Sequence, residues 1–257
     1  MRLTIDTDAR ALVVEDGDIV RRYDLYTPEA FREISRHWLR VGFSQRHVYR
    51  YTWLGRPVIQ LPDDLMRIQE TIVAVQPDVI VETGVAHGGS LVFHASVCLA
   101  LGRGRVIGID VDIRPHNRAA IERHRLKPYI TLIEGNSTAP AVLQQLESLI
   151  SPGERVMVIL DSDHSYAHVS EELRLYSKLV SPGSYLIVAD GLTRDLWDVP
   201  GGRPEWRYEN PAQAAIDFAA RCPEFVLESP SWPFDESTLA ESPTYFQSGW
   251  LKRRLPG

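Results

Sequence analysis

Apolar residues in this chain occur in two patterns, short continuous runs and positions at helical spacing, and from Leu61 the patterns alternate regularly. Runs of this kind predict strands, and the spaced positions predict helices. Strands are expected at residues 78–82, 105–109, 129–133, 155–160 and 184–189, and helices at 62–75, 88–101, 115–124, 139–150 and 166–180. This alternation is typical of a parallel sheet connected by helices. The predicted fold is α/β, a doubly wound, mainly parallel sheet with helices on both faces.

Residues 1–60 lack this rhythm, so we predict an accessory segment there, followed by a main domain over residues 61–257. A hairpin is expected where residues 12–15 and 19–22 flank Asp16-Gly17-Asp18. A helix is expected from Thr27 onward, with Phe31, Ile34, Trp38 and Val41 at helical spacing. The aromatic and basic stretch 46–53 is a candidate wall of a substrate cleft or a candidate subunit contact.

The carboxyl-terminal part of the chain is less regular. Residues 193–205 contain several prolines and glycines and have the length of a loop that often serves as a lid. Asn210-Pro211 predicts the start of a helix that runs to about Arg221. Two further strands are expected at residues 225–228 and 245–251.

Composition limits the classes of partner. The net charge is -6 and the pI is near 5.8, which argues against nucleic acid or an anionic membrane, since both attract clustered basic surfaces. No apolar run approaches the roughly 18 residues of a membrane span, and residues 1–6 lack the apolar stretch of a signal peptide. We therefore expect a soluble, cytoplasmic protein. Cys98 and Cys222 have no metal-binding or redox spacing.

The most informative stretch follows the first apolar run, where a strand, a glycine turn and a helix amino terminus are predicted in succession. A dinucleotide-binding turn has the spacing G-x-G-x-x-G, whereas here Glu82 precedes Gly84 and the next glycine, Gly88, comes four residues later. A carboxylate at this point would repel a pyrophosphate and would suit a cation such as S-adenosylmethionine. The alternative is a tight turn whose glycines serve packing alone. The predicted donor-binding residues here are Glu82, Thr83, Gly84, Gly88 and Ser90.

Each predicted strand of the main domain carries a carboxylate at or just past its end. These acids are Glu82, Asp110, Glu134, Asp161 and Asp190. Ligands of doubly wound sheets bind outside the carboxyl ends of the strands. Unpaired buried charges are costly, so such a concentration of acids indicates a binding site and not a structural feature.

Two of these strand ends are expected to hold a nucleoside. Asp110 is predicted to accept hydrogen bonds from the ribose hydroxyls, the alternative being a cap for the helix at Pro115, a role that Asp112 fits better. Asn136 and Ser137 are predicted to lie beside the adenine ring. The alternative reading, that Ser137 or Thr138 caps the next helix, stays open.

The strongest group of candidate catalytic residues follows the fourth predicted strand. Asp161 and Asp190 end strands that are expected to be neighbours, so their carboxylates could share one Mg²⁺ ion. Such an ion would lower the pKa of a substrate hydroxyl, and Asp161 would then contribute to both catalysis and donor binding. His164 is the predicted general base, with Asp163 as an alternative base. The alternative role for His164 is that of a capping or hydrogen-bonding histidine at the start of the next helix.

With these residues considered together, the chain resembles the cephalosporin hydroxylase and rhamnosyl O-methyltransferase family, a branch of the class I S-adenosylmethionine-dependent methyltransferases. The resemblance extends over residues 45–195 and rests on four motifs in order, at 82–90, 108–117, 160–165 and 180–190. It implies a Rossmann-like core, a cosubstrate held at Glu82, Gly84, Asp110 and Asp161, and often a Mg²⁺ ion. One departure is that Ala189 and Gly191 flank Asp190, where related metal-dependent enzymes carry a second acid or amide.

The leading hypothesis is an O-methyltransferase that acts on a small natural product, with a deoxysugar of a glycosylated secondary metabolite as the expected acceptor, as in antibiotic biosynthesis. S-adenosylhomocysteine would be its product. The alternative is a non-catalytic, S-adenosylmethionine-binding partner subunit of a hydroxylase system. An NAD-binding oxidoreductase is disfavoured by Glu82 and by the glycine spacing. The apolar and aromatic amino-terminal segment predicts a homo-oligomer.

Overall fold

The structure, a computed structural model, describes residues 1–256. Its strands are β1 (Arg2–Asp6), β2 (Ala11–Asp16), β3 (Ile19–Asp24), β4 (Thr52–Trp53), β5 (Arg56–Pro57), β6 (Val79–Thr83), β7 (Arg105–Asp110), β8 (Ile130–Glu134), β9 (Val156–Leu160), β10 (Tyr185–Val188), β11 (Phe225–Leu227) and β12 (Trp250–Arg253). Its α-helices are α1 (Pro28–Ser44), α2 (Pro62–Val75), α3 (Gly89–Leu101), α4 (Pro115–Glu122), α5 (Pro140–Ser148), α6 (Tyr166–Tyr176) and α7 (Pro211–Arg221). Short 3-10 helices lie at His47–Arg50, Lys127–Tyr129, Gly191–Asp195 and Pro204–Arg207.

A seven-stranded sheet in the order β11-β12-β10-β9-β6-β7-β8 forms the centre of the molecule. Strands β6 to β10 are parallel, whereas β12 is antiparallel to both β10 and β11. The chain moves from β6 to one side through β7 and β8 and then returns to the other side at β9. Ligands of such sheets bind at this reversal. The predicted doubly wound, mainly parallel sheet is confirmed.

The sheet is buried on both faces, and its central strands are mainly apolar. In β9 every side chain is at most 2% exposed, as expected for a strand covered by helices on both sides. One apolar cluster includes residues of α2 and α3, and the other includes residues of α5, α6 and α7. The carboxyl ends of the strands are the remaining open edge of this core.

The amino-terminal segment forms its own small antiparallel sheet, in the order β1-β2-β3. The predicted hairpin is β2 and β3, to which β1 adds a strand that the sequence pattern did not indicate. The predicted helix is α1, and the Thr27 hydroxyl accepts a hydrogen bond from Ala30 N–H at its start. No helix within residues 1–256 is long and apolar enough to cross a bilayer.

The prediction of a strand over residues 245–251 is wrong for its first five residues, since β12 begins at Trp250. The preceding residues are held in another conformation: Tyr245 N–H donates to the Asp64 carboxylate at 2.8 Å, and Ser248 has a left-handed backbone with φ of 53°. A left-handed residue interrupts the extended backbone that a strand requires.

Candidate functional site

A cavity of about 560 Å³ lies at the carboxyl ends of the parallel strands, beside the reversal of strand order. Its wall combines the β6–α3 turn, the ends of β7 and β9, and a stretch of the amino-terminal segment. The residues that line the cavity include Tyr49, Pro57, Gln60, Gly84, Ala86, His87, Ser90, Asp110, Asn136, Ser137, Asp161, Asp163, His164, His168 and Asp190. Six of the nine predicted donor-binding residues are therefore in the wall; Glu82, Thr83 and Gly88 are not.

Backbone contacts explain the glycines of the β6–α3 turn. Gly84 has a φ of 92°, and a Cβ there would lie 1.9 Å from the carbonyl oxygen of Asp161. A Cβ on Gly89 would lie 2.0 Å from the carbonyl oxygen of Pro57, so the amino-terminal segment passes directly against the start of α3. These glycines allow close packing, and Gly84 and Gly89 also line the cavity.

Asp110 fixes the shape of this turn. Its Oδ2 accepts hydrogen bonds from the N–H groups of Val85 at 2.8 Å and Ala86 at 3.1 Å. The capping alternative for Asp110 is wrong, because no side chain caps α4, which follows Arg114. The ribose contact of Asp110 stays a prediction that fits its position in the cavity wall.

A clamp that sequence reasoning missed holds the other side of the same turn. The buried end of Arg56 donates to the carbonyl oxygen of His87 through Nε at 3.0 Å and to Asn117 Oδ1 at 2.9 Å. Asn117 in turn donates to the carbonyl oxygen of Ala86 at 2.9 Å. A side chain from the amino-terminal segment thus orders the turn that is predicted to bind the donor.

Glu82 lies beneath the cavity and not in its wall. The side chains of Glu82 and His94 are both fully buried, with 3.1 Å between Glu82 Oε2 and His94 Nε2. The contact lacks hydrogen-bond geometry, so we regard it as proximity of two buried groups. The sequence pattern ended this strand at Glu82, whereas β6 continues to Thr83, which leaves Glu82 inside the sheet. In this geometry the Glu82 side chain does not reach the cavity, so it does not provide the predicted direct contact with a ligand there.

The turn after β8 brings Asn136 and Ser137 into the cavity wall as predicted. The capping alternative for Ser137 and Thr138 is wrong, since no side chain caps α5. Ser137 Oγ is instead 3.1 Å from His168 Nε2, which is also 3.4 Å from Glu172 Oε1. The Glu172 carboxylate raises the pKa of His168 above its ordinary value. His168 is a cavity residue that the sequence reasoning did not identify.

Asp161, His164 and Asp190 come together as the adjacency of β9 and β10 requires. Each contributes one nitrogen or oxygen atom to a group in which all three atoms lie within 4.8 Å of one another. His164 Nε2 is 3.2 Å from Asp190 Oδ2, and both side chains are about one third exposed. Ser165, not His164, caps α6 through a hydrogen bond from His168 N–H, so the capping alternative for His164 is wrong.

The pKa values of Asp161 and Asp163, the two carboxyls that precede His164, are shifted in opposite directions. Burial raises the pKa of Asp161 well above its usual range, and the carboxylates of Asp190 and Glu82 raise it further. Hydrogen bonds from Ser165 lower the pKa of Asp163, whose Oδ1 accepts from Ser165 N–H at 2.7 Å. A lowered pKa makes Asp163 a poorer base than His164.

The predicted lid is fastened to α1 outside the cavity wall. Arg40 donates to the carbonyl oxygen of Asp195 and, at 2.8 Å, to Asp198 Oδ1. The Ser44 hydroxyl donates to the carbonyl oxygen of Pro200 at 3.1 Å.

Within the aromatic stretch 46–53, Tyr49 lines the cavity, and the Arg46 guanidinium lies 4.4 Å from the centre of the Tyr49 ring.

The sheet order and the cavity beside its reversal define a Rossmann-like α/β protein with a nucleotide-type ligand site. The family model described as rhamnosyl O-methyltransferase/CmcI matches residues 45–254, and the chain belongs to this family of S-adenosylmethionine-dependent O-methyltransferases. The resemblance noted from the four motifs is confirmed.

Two relatives of similar sequence agree with this membership. A rhamnosyl O-methyltransferase of Mycobacterium leprae (strain TN) is 34% identical over 142 residues, which cover 54% of this chain and 59% of that protein. Its counterpart in Mycobacterium tuberculosis (strain H37Rv) is 33% identical over 156 residues, covering 60% of this chain and 62% of that protein. The chain therefore matches less than two thirds of the length of these relatives.

Two structures of CmcI show the same fold. The apo structure has a TM-score of 0.56 and 21% identity, and covers 81% of this chain and 78% of CmcI. The structure titled with Mg and S-adenosylmethionine has a TM-score of 0.55 and 22% identity, and covers 80% of this chain and 78% of CmcI.

Proposed function

We propose that this chain transfers the methyl group of S-adenosylmethionine to a hydroxyl of a small-molecule acceptor, a sugar of a natural product. The observation that carries the proposal is that Asp161, His164 and Asp190 face the same cavity as the glycine turn at Gly84. Family membership and the rhamnosyl O-methyltransferase relatives support both the reaction and a sugar acceptor.

The proposed donor site follows the cavity wall. Asp110 would accept hydrogen bonds from the ribose hydroxyls, with Asn136 and Ser137 beside the adenine. Gly84 and Ser90 would approach the methionine part at the start of α3, where free backbone N–H groups favour a carboxylate. The Asp161 carboxylate would attract the positively charged sulfonium and amine.

The residues present fit a divalent cation. Asp161, His164 and Asp190 each place one nitrogen or oxygen atom within 4.8 Å of the others, and two carboxylates this close repel each other unless one is protonated or a positive charge lies between them. Burial raises the pKa of Asp161, and the Asp190 carboxylate raises it further, so a bound cation would favour the ionised form. Asp161 and Asp190 would hold the ion, and a bound Mg²⁺ would lower the pKa of the acceptor hydroxyl.

His164 would accept the proton of the acceptor hydroxyl as the oxygen–carbon bond forms and the sulfur–carbon bond breaks. Asp190, 3.2 Å away, would stabilise the imidazolium that results. Since the donor is already activated, the main contribution of the cavity is to align oxygen, carbon and sulfur. Tyr49, at the cavity wall and 53% exposed, offers a face for the acceptor ring.

The test is methyl transfer by the purified chain to a panel of free and glycosidic deoxysugars, followed by mass spectrometry. His164→Ala should lower turnover by about 100-fold or more, while the affinity for S-adenosylhomocysteine changes little. His116→Ala, an exposed histidine outside the cavity, is the matched control. Turnover that survives in His164→Ala would refute the base assignment. Binding of S-adenosylhomocysteine without transfer to any acceptor would favour the non-catalytic partner subunit.

We also propose that the chain forms a homo-oligomer through α1. Three of the four apolar side chains that predicted this helix are exposed on it: Phe31 is 39% exposed, Trp38 45% and Val41 62%. They are spaced by seven and three residues and so share one side of the helix. An exposed apolar stripe of this kind is typical of a protein–protein contact.

A further inference from the structure

Gln60 is a buried amide in the wall of the proposed active site, only 4% exposed. Its Nε2 donates to Asp161 Oδ2 at 3.3 Å. Its Oε1 is buried and, within residues 1–256, has no hydrogen-bond partner. A buried acceptor without a partner destabilises the fold, so its presence beside a cavity indicates a ligand that would satisfy it.

The backbone of Gln60 is fixed independently of this contact. The flanking side chains of Val58 and Leu61 are 2% and 1% exposed, and Leu65 N–H donates to the carbonyl oxygen of Leu61 in the first turn of α2. The amide therefore stays beside Asp161 because the fold holds it there. Its own single hydrogen bond, at 3.3 Å, is long for an N–H···O contact.

The charges around the amide select the kind of ligand. The amide contacts Asp161, which lies close to Asp190, so a cation is favoured over an anion. A half-turn of the amide about its last side-chain bond would exchange Oε1 and Nε2 and place the oxygen beside Asp161 Oδ2. Two oxygens at that separation repel each other unless a cation binds both. Neighbouring ligands of an octahedral Mg²⁺ ion are about 3 Å apart, which is close to the observed spacing.

We propose that Gln60 is a ligand of the active-site cation, donating its amide oxygen alongside the carboxylates of Asp161 and Asp190. It compensates for Ala189 and Gly191, which offer no side-chain donor beside Asp190. The inference rests on the proposed function, since it assumes the cation. A neutral third ligand leaves the site with two negative charges, which match a divalent ion.

The test is titration of the full-length, chelator-treated protein with Mn²⁺, followed by electron paramagnetic resonance, with Mg²⁺ as competitor. Gln60→Met keeps the length of the side chain and removes the donor oxygen, and we expect it to weaken Mn²⁺ binding by at least about tenfold. Gln60→Glu adds a charged oxygen, and we expect it to tighten Mn²⁺ binding. A purely structural role for Gln60 would weaken binding in both variants.

Gln144→Met, an exposed glutamine on α5, is the matched control and should leave Mn²⁺ binding unchanged. Should Gln60→Met fail to fold, Gln60→Asn withdraws the amide by one carbon and should also weaken Mn²⁺ binding. Unchanged Mn²⁺ affinity in Gln60→Met, weakening in Gln60→Glu, or absence of Mn²⁺ binding by the wild-type protein would each overturn the proposal.

Calorimetry with S-adenosylhomocysteine in the presence of chelator separates this proposal from the proposed function. If the product binds but Mn²⁺ affinity does not depend on Gln60, the ligand assignment alone is wrong. If the product does not bind to any variant, the donor site is wrong, whatever the metal result. If Gln60→Met weakens only product binding, the amide contacts the donor and not a cation, which also overturns the assignment.

Discussion

Asp64, on α2, holds Tyr245, which lies 181 positions further along the chain, through a 2.8 Å hydrogen bond to its backbone N–H. The Thr244 hydroxyl donates to the other oxygen of the same carboxylate. This contact anchors the segment that leads into β12. Because Asp64 is only 2% exposed, the anchor depends on a buried ionisable group.

The stability of the protein should therefore depend on pH through Asp64. Burial raises the pKa of Asp64 to about 7 from 3.8, so the folded protein favours the protonated form. The stabilising contribution of this group is complete below about pH 4 and declines by about 1.4 kcal/mol per pH unit until about pH 7. Asp64→Asn mimics the protonated form, so its stability relative to the wild type should be greater at pH 8 than at pH 5.

Urea unfolding at the two pH values measures this difference. Asp18→Asn, at an exposed position in the turn between β2 and β3, should show no such change between pH 5 and pH 8. An equal difference between Asp64→Asn and wild type at both pH values would show that Asp64 does not titrate in this range.

Gly84→Ala should damage both the fold and the donor site. Gly84 and Gly153 have nearly the same backbone, with φ of 92° and 88°, but a Cβ meets the Asp161 carbonyl at 1.9 Å in the first and open space in the second. Gly153→Ala should cost about 1–2 kcal/mol of stability for the left-handed backbone alone. Gly84→Ala should cost a further 1–3 kcal/mol, roughly, for the collision, and weaken product binding. Equal losses in thermal unfolding would contradict the close approach.

Arg56→Met should weaken the affinity for S-adenosylhomocysteine by about tenfold or more, because it frees the turn that Arg56 and Asn117 hold. Arg56→Lys should not restore the affinity, since an ammonium cannot reproduce the forked contact with two acceptors. The KM for the acceptor should change little. Calorimetry and steady-state kinetics provide the two measurements, with Arg103→Met, an exposed ion pair with Asp78, as control. Recovery in the lysine variant would argue against the clamp.

The pKa of His168 should fall when its acidic partner is neutralised. The Glu172 hydrogen bond raises this pKa, so the stabilisation from the pair is complete below about pH 6.5 and is lost as pH rises through the raised value. Glu172→Gln should shift the His168 titration to lower pH in NMR spectra of the ring protons. Glu171→Gln, at the neighbouring exposed position, should leave the His168 titration where it is. An unshifted His168 in Glu172→Gln would show that the pair does not interact.

Replacement of Trp38 by Glu should dissociate the proposed oligomer without unfolding the chain, since Trp38 is 45% exposed. Light scattering coupled to size-exclusion chromatography reports the mass. Val73→Glu, on a 40% exposed apolar residue of α2, is the matched control. A wild-type protein that is monomeric at all concentrations would refute self-association through α1.

Sequence reasoning located the parallel strands well, but it was less accurate about which side chains at their ends face the cavity. Asp161 and Asp190 could be predicted to meet, because alternating strands and helices imply parallel neighbours whose ends share an edge. The burial of Glu82 could not be predicted, because a one-residue difference in the end of β6 decides whether a side chain lies beyond the sheet or within it. Strand ends are the least certain part of any such prediction.

The contacts that sequence reasoning missed join distant parts of the chain. Arg56 and Asn117 are 61 positions apart, and Gln60 and Asp161 are 101 positions apart. No periodicity or motif spacing indicates such pairs, since they depend on how the segment before α2 crosses the start of α3. The sequence also cannot show that the amide oxygen of Gln60 is buried without a hydrogen-bond partner, since this depends on the packing.

The passage of residues 56–60 over the start of α3 has a consequence for how this family can diversify. The stretch that precedes the first helix of the main domain supplies both the Arg56 clamp and the Gln60 amide, while Tyr49 lines the cavity and is the proposed contact for the acceptor ring. Exchange of this stretch between relatives would thus alter sugar preference, donor affinity and metal affinity at once. A chimera made at residue 61 would combine this stretch from one parent with Asp110, Asp161 and Asp190 from the other.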